Sequence, residues 1–195
     1  MKVVEAGAIS LGLLTSPGRT LDRVALRPSV GTAAIPVVAT GAAWSALCVL
    51  LWLDGHAPSR SLVPLPKESY YLGQALWLIP ALLLGWIVVG GVCQLLSRWA
   101  GGAGGRASML ASAGFAYALP LAVLFVLPDF VAYLSLGFAS LGKLVRFTGL
   151  GLMLAEWALV ARAVVAVHRL AWSRALPIAF VALLAQAALL APILR

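Results

Sequence analysis

Long apolar runs alternate with short polar stretches along the whole chain. Four runs carry no charged residue, and each reaches about 20 residues, the length that a helix needs to cross the hydrocarbon core of a bilayer. A fifth run is apolar apart from Glu156 and Arg162. The pattern therefore predicts an all-α integral membrane bundle of five transmembrane helices, at about residues 30–53, 70–97, 107–128, 147–167 and 175–194.

The uncharged stretch 130–142 is the ambiguous part of this pattern. It is too short to cross a bilayer, so its length favours an interfacial or re-entrant segment. A sixth crossing there would reverse the side of everything that follows. With five spans, the chain divides into an N-terminal amphipathic, interfacial segment (1–29) and a five-helix transmembrane domain (30–195).

The segment before the first span has a helical pattern of its own. Ser16 can cap a helix that starts at Pro17, and Pro28 then ends it. Three arginines recur every four residues on one face, at Arg19, Arg23 and Arg27. A short interfacial helix would place them at anionic lipid headgroups, each contributing about 1 kcal/mol. The alternative is a basic flank without a further role.

The composition excludes a water-soluble domain, because 63% of the residues are hydrophobic and only 10% are charged. The net charge of +8 suggests nucleic-acid binding only in a soluble protein, and no aromatic-interleaved basic face accompanies it. Both cysteines, Cys48 and Cys93, fall in apolar runs, which argues against a disulfide framework or a metal site. Glu5 interrupts the first apolar stretch, so we expect no cleaved signal peptide.

The distribution of basic residues predicts the orientation. Nine lie on the side of the N-terminus and five on the other, so the positive-inside rule predicts a cytoplasmic N-terminus and an external C-terminus. The nine are Lys2, Arg19, Arg23, Arg27, Arg98, Arg106, Arg162, Arg169 and Arg174. The five are Arg60, Lys67, Lys143, Arg146 and Arg195.

Glu156 is the one acidic residue that lies near the middle of a predicted span. An ionised carboxylate is expensive there, so the side chain should face the bundle and either find a polar partner or carry a proton. Candidate partners at similar depth are Gln186, Tyr117 and the indole of a nearby tryptophan. Arg162 should instead extend to the cytoplasmic surface beside His168 and Arg169. Glu156 is thus either a proton or substrate site or a buried hydrogen bond that fixes helix register.

Known catalytic templates do not match. The only histidines are His56, in an outer loop, and His168, at the end of a span, so no zinc motif exists. A G-x-S-x-G serine motif and paired carboxylates are also missing. The glycine cluster from Gly101 to Gly105 lacks the lysine of a phosphate-binding loop and is expected to be a flexible turn. We therefore predict no catalytic, cofactor-binding or metal-binding residues.

Small residues and prolines organise the third predicted span. Gly114, Ala118 and Ala122 repeat every four residues, the spacing that lets two helices approach closely. Pro120 lies within the same helix and Pro80 within the second, and each permits a kink.

The stretch from Gly101 to Pro120 resembles the central signature of the Yip (Ypt/Rab-interacting protein) domain family. A glycine-rich turn and a basic residue precede a span that carries Gly114-Phe115-Ala116-Tyr117-Ala118-Leu119-Pro120. The N-terminal Ser16-Pro17 with Pro28 resembles the opening segment of the family, and Trp157 to Arg174 resembles its closing element. Gly114, Tyr117 and Pro120 carry over as structural signature only, because the family has no established catalytic motif.

The resemblance implies a five-helix membrane protein with a cytoplasmic N-terminus. Eukaryotic members bind prenylated Rab-type GTPases through a longer cytoplasmic region, whereas about 29 residues precede the first span here. This departure and the Ala, Leu, Gly and Arg richness imply a prokaryotic member in the cell (inner) membrane. Some bacterial relatives accompany ABC-type exporters.

Two functions follow as hypotheses. The first is a non-enzymatic scaffold or accessory subunit, related to an exporter or to trafficking, or a role in membrane organisation. Its partners would be membrane lipids and another integral membrane protein, with a homo-oligomer as an alternative and no nucleic acid. The second is a proton-coupled transporter or lipid scramblase that uses Glu156. An intramembrane enzyme ranks third.

Overall fold

A computed structural model of the protein describes residues 2–58 and 66–194. Within these ranges the chain is almost entirely helical and contains no strand. The helices are α1 (Lys2–Thr15), α2 (Pro17–Leu26), α3 (Val30–Leu53), α4 (Tyr70–Trp99), α5 (Arg106–Leu121), α6 (Leu127–Leu136), α7 (Leu141–His168) and α8 (Trp172–Leu194). Arg60 and Arg195, two of the charges assigned above to the outside, lie outside the described residues.

Five helical segments in the described part of the chain are long and apolar enough to cross a membrane, which confirms the all-α bundle of five spans. They are α3, α4, the continuous segment from α5 to α6, α7 and α8. The third segment contains a π-helical turn at Ala122–Val126, directly after Pro120. Proline has no N–H to donate and blocks the normal helical hydrogen bond, so a local change of hydrogen-bond register follows it.

The segment 130–142 is not a separate element. Its first part continues the third span as α6, which ends at Leu136 where Gly137 adopts a φ of 77°. Only a short 3-10 turn, Phe138–Ser140, separates α6 from α7. The expectation of an interfacial or re-entrant segment is therefore wrong. Pro128 stands in the first turn of α6, a position that tolerates proline, rather than ending the span.

Helix α5 is the centre of the bundle. Every residue from Ala111 to Leu121 is buried, and α5 packs against α3, α4 and α7 within the membrane domain and against α2 outside it. Most of these residues are small, which allows neighbouring backbones to approach closely. Gly114 is closely packed on two sides, because a Cβ atom there would lie 2.9 Å from Trp86 Nε1 and 3.1 Å from Ala33 Cβ.

The two ends of the bundle differ in charge. At one end, Arg174 Nη1 donates to the Ala100 carbonyl at 3.0 Å, which joins the α4–α5 and α7–α8 connections. We call it the basic end, because it carries Arg98, Arg106, Arg169 and Arg174 together with α2. At the opposite end, which we call the far end, the Tyr133 hydroxyl donates to the Asp54 carboxylate. His56 stacks on Phe138 there, with ring centroids 4.3 Å apart.

The N-terminal segment contains two helices rather than the single one predicted. Helix α2 occupies the predicted positions, with Ser16 at its N-cap, although the serine side chain makes no capping hydrogen bond. Leu21 and Val24 of α2 are buried against the bundle, and the three arginines of its opposite face are exposed. Helix α1, which the sequence pattern did not indicate, packs against α3.

Arg162 anchors α2 to the bundle. Its Nη2 atom donates to Asp22 Oδ2 at 2.7 Å and to the Gly18 carbonyl at 3.0 Å. The side chain thus extends from α7 to a half-exposed carboxylate on α2, at the basic end. The sequence analysis did not predict this partner, which lies 140 residues away in the sequence.

Candidate functional site

A polar group lies in the middle of the bundle, where three helices supply one side chain each. Tyr117 comes from α5, Glu156 from α7 and Gln186 from α8. Gln186 Nε2 donates to Tyr117 Oη at 3.4 Å. Tyr117 and Glu156 are buried, and Glu156 is only 8% exposed. Tyr117 and Gln186 thus share a hydrogen bond, and Glu156 lies near enough to the Tyr117 hydroxyl to interact with it electrostatically. We call these three residues the central polar group.

Gly85 of α4 closes the central polar group from the fourth side. A Cβ atom at Gly85 would lie 3.2 Å from Tyr117 Oη, 3.4 Å from Gln186 Cγ and 3.0 Å from Leu190 Cδ1. The missing side chain thus lets α4 contact both hydrogen-bonding residues. A larger residue at this position would separate α4 from α8.

The Glu156 carboxyl group makes no hydrogen bond with any other group among residues 2–58 and 66–194. Two indoles that could have served as donors are used elsewhere, because Trp157 Nε1 donates to the Leu176 carbonyl and Trp86 Nε1 to the Leu110 carbonyl, each at 2.8 Å. A buried acid without a fixed partner is a candidate for binding a proton or a polar ligand.

Asp129 is a second buried acid, and the sequence analysis missed it. It lies in α6, is buried, and its Oδ1 atom has no hydrogen-bonding partner in the described part of the chain. Cys48 and Gln74, which share a hydrogen bond of 3.6 Å, lie in the same half of the bundle. Asp129 was placed outside the spans because Pro128 was taken as the end of the helix. The uncharged residues that follow Asp129 could have indicated that the third span continues beyond Pro128.

The glycine-rich connection between α4 and α5 is closely packed at two of its glycines. Gly104 donates its N–H to His168 Nδ1 at 3.1 Å, and a Cβ atom on Gly104 would lie 2.5 Å from the Val167 carbonyl oxygen. A Cβ atom on Gly102 would lie 2.9 Å from the Ser97 carbonyl oxygen. These two glycines allow the connection to lie against the end of α7, whereas Gly101 and Gly105 are not confined in this way.

The remaining residues selected from sequence occupy different places. Arg19 and Arg23 are exposed on α2 and Arg27 is exposed directly after it, far along the chain from the central polar group. Ala118 lies on the buried face of α5, where its carbonyl accepts a hydrogen bond from Thr40 at 3.5 Å. Both cysteines are buried thiols. The described residues contain no cluster of three histidine, cysteine or acidic side chains that could hold a metal ion.

Five apolar spans around a small polar interior define a multi-pass integral membrane protein. Comparison with family models then identifies the family: a model of the Yip1 domain matches residues 11–193, and the chain belongs to this family. The match covers all five spans and α2. No curated protein and no solved structure matches the chain.

Proposed function

We propose that this protein is a non-enzymatic scaffold or accessory subunit that binds another integral membrane protein through the first half of α7, residues 141–155. We call this half the open half of α7. Some bacterial members of the family accompany ABC-type exporters, so an exporter is the first partner class to test. The proposal is supported chiefly by how little of the open half packs within its own bundle.

The open half of α7 has no buried residue, and burial in this helix begins only at Glu156. The second half is buried in the ordinary way, against α5 and α8. Large apolar side chains of the open half are exposed, among them Phe147 at 80% and Leu150 at 63%. An apolar helix surface of this size accommodates either lipid or a partner helix.

Glycines in the open half favour the partner helix over lipid. A Cβ atom added at Gly142, Gly149 or Gly151 would meet nothing within 4 Å among the described residues. Each glycine inside a helix destabilises that helix by about 0.5–1 kcal/mol relative to alanine, and no contact with the described residues offsets this. Small residues on a membrane helix allow another helix to approach its backbone closely. The open half therefore has the composition of a helix-packing surface.

We further propose that the protein resides in a prokaryotic cell membrane with the basic end in the cytoplasm. The basic end carries α2 and most of the described Lys and Arg residues, and short basic loops are retained on the cytoplasmic side. The open half then begins at the external surface and reaches the membrane centre at Glu156.

Site-specific photo-crosslinking in native membranes tests the partner surface. A photoreactive residue at Leu150, in the open half, is expected to yield one crosslinked product of defined mass with another membrane protein. The same residue at Leu184, an exposed position on α8, is the matched control and should yield only lipid adducts. Mass spectrometry of the purified products identifies the captured chain.

A second substitution tests whether the Leu150 crosslinked product depends on the glycines of the open half of α7. Gly151→Leu should abolish the Leu150 product, because the leucine keeps a partner helix away from the α7 backbone. Gly91→Leu, an equally open glycine on α4, should leave it unchanged. Identical products from Leu150 and Leu184 would contradict the proposal, as would a product containing only two copies of this chain.

The central polar group supports a second candidate function, proton-coupled transport or lipid scrambling. Its specific basis is the buried Glu156 carboxyl group beside the Tyr117–Gln186 pair, without a hydrogen bond of its own in the described residues. An acid that only fixed helix register would be held by such a bond.

Flux through reconstituted vesicles tests this candidate. Glu156→Gln preserves the shape of the side chain, so we expect it to abolish flux while leaving the thermal stability of the protein unchanged. Glu5→Gln, at an exposed position on α1, serves as the control and should transport as the native protein does. If flux through vesicles that contain the native protein is no faster than flux through empty vesicles, the transport function is excluded.

A further inference from the structure

A cleft of about 600 Å³ opens between the last four turns of α4 and the start of α5. It belongs neither to the central polar group nor to the open half of α7. Arg98 and Arg106 line it at the basic end. Apolar side chains and glycines line the rest, with Ile87 and Gly91 on α4. Gly90 packs against Leu110 of α5, where a Cβ atom would lie 2.8 Å from Leu110 Cδ2, so these two residues form the floor of the cleft. The cleft is thus cationic at one end and apolar along its length.

The two arginines are available to a ligand. Both side chains are exposed, and neither lies within 4.0 Å of a carboxylate in the described part of the chain, where the single ion pair joins Arg162 to Asp22. The backbone between them is held in place, because Gln94 Nε2 donates to the Gly104 carbonyl at 3.1 Å. Because the backbone is fixed in advance, the entropy cost of binding an anion falls mainly on the two arginine side chains.

The apolar part of the cleft extends into the membrane. At about 1.5 Å of rise per residue, its lining runs about 16 Å along α4 from Arg98 to Ile87. The lining begins at the helix ends, where the headgroups lie, and reaches towards the middle of a hydrocarbon core about 30 Å thick. Gly91 leaves open space, since a Cβ atom there would meet nothing within 4 Å.

We propose that this cleft binds one anionic phospholipid, with the headgroup phosphate on Arg98 and Arg106 and one acyl chain along the apolar lining between Ile87 and Leu110. Arginine binds phosphate oxygens through paired N–H donors, which accounts for the cationic rim. A free phosphate ion would satisfy the rim alone and leave the apolar lining empty. The lipid uses both parts of the cleft.

Native mass spectrometry of the purified full-length protein tests the site. Phosphatidylglycerol is expected to bind in a 1:1 complex that survives detergent removal, and phosphatidylcholine with the same acyl chains is expected to bind at least about tenfold more weakly. Inorganic phosphate and glycerol phosphate, which lack acyl chains, should not compete at equal concentration.

Two sets of variants separate the rim from the apolar lining. The double variant Arg98→Gln/Arg106→Gln should lower the affinity for phosphatidylglycerol about tenfold or more. Its control, Lys143→Gln/Arg146→Gln at the start of α7, removes the same charge at exposed positions outside the cleft and should bind normally. Gly91→Leu fills the cleft and should also abolish the complex, whereas Gly151→Leu on α7 should not.

Each contrary result identifies a different error. Equal competition by inorganic phosphate would show a free-anion site, and equal loss in the Lys143→Gln/Arg146→Gln control would show diffuse charge attraction. Normal binding by Gly91→Leu would show that no acyl chain enters the cleft. Any of these outcomes overturns the lipid site. None of them bears on the open half of α7, whose test uses crosslinking at Leu150.

Discussion

A leucine in place of Gly114 is expected to lower the free energy of unfolding of the bundle by about 3 kcal/mol or more, at the upper end of the usual overpacking penalty. The first added carbon would already lie 2.9 Å from Trp86 Nε1 and 3.0 Å from Trp86 Cε2. The ring cannot simply move aside, because its N–H donates to the Leu110 carbonyl at 2.8 Å. On the other side Ala33 of α3 is equally close, so the substitution must separate α5 from two helices.

Thermal unfolding of the purified protein in detergent measures this effect. The Tm of Gly114→Leu should fall well below that of the native protein, or the variant should fail to accumulate in folded form. The control is Gly151→Leu, the same change at an open position of α7, whose Tm should stay the same or rise because leucine favours a helix over glycine. Equal Tm values for Gly114→Leu and the native protein would show that α5 is not the tightly packed centre.

The spans could be predicted from sequence because the bilayer imposes a length and an apolar composition on every crossing. The start of α3 and its end match the uncharged run from residue 30 to residue 53. The third span was harder, because proline ends a helix in most contexts and here both Pro120 and Pro128 are accommodated within one continuous helical segment. The π-helical turn that makes this possible has no signature that a single sequence reveals.

Helix α1 was missed for another reason. Its polar residues do not fall on one face, so the segment lacks the amphipathic pattern that identified α2. Helix α1 is stabilised by packing against α3, which its own hydrophobic pattern does not reveal. Tertiary contact of this kind cannot be inferred from residues 1–15 alone.

Of the candidate site, the sequence could predict only the depth of each residue in the membrane. Counting residues from the span ends places Tyr117, Glu156 and Gln186 at similar heights, and in the structure Tyr117 and Gln186 share a hydrogen bond. Contacts between distant segments were beyond this reasoning. Arg162 pairs with Asp22 across 140 residues, and Gly104 with His168 across 64. The sequence analysis missed Asp129 because it ended the third span eight residues too early, which left Asp129 outside the predicted span.

The proposed surfaces occupy separate parts of the molecule. The lipid cleft lies between α4 and α5 at the basic end, whereas the open half of α7 begins at the far end. Gly91→Leu and Gly151→Leu therefore act as mutual controls, each affecting one surface alone. All of these assignments depend on five crossings that place the two ends on opposite sides of the membrane.

Cysteine accessibility in intact cells tests that arrangement most directly. Four exposed positions serve as reporters, Ala57→Cys and Ser135→Cys at the far end and Ala103→Cys and Ser173→Cys at the basic end. The two native cysteines are buried and should contribute little labelling. A membrane-impermeant maleimide should label Ala57→Cys and Ser135→Cys in intact cells, and Ala103→Cys and Ser173→Cys only after permeabilisation. Labelling of Ser135→Cys and Ala103→Cys from the same side would contradict the five-span bundle.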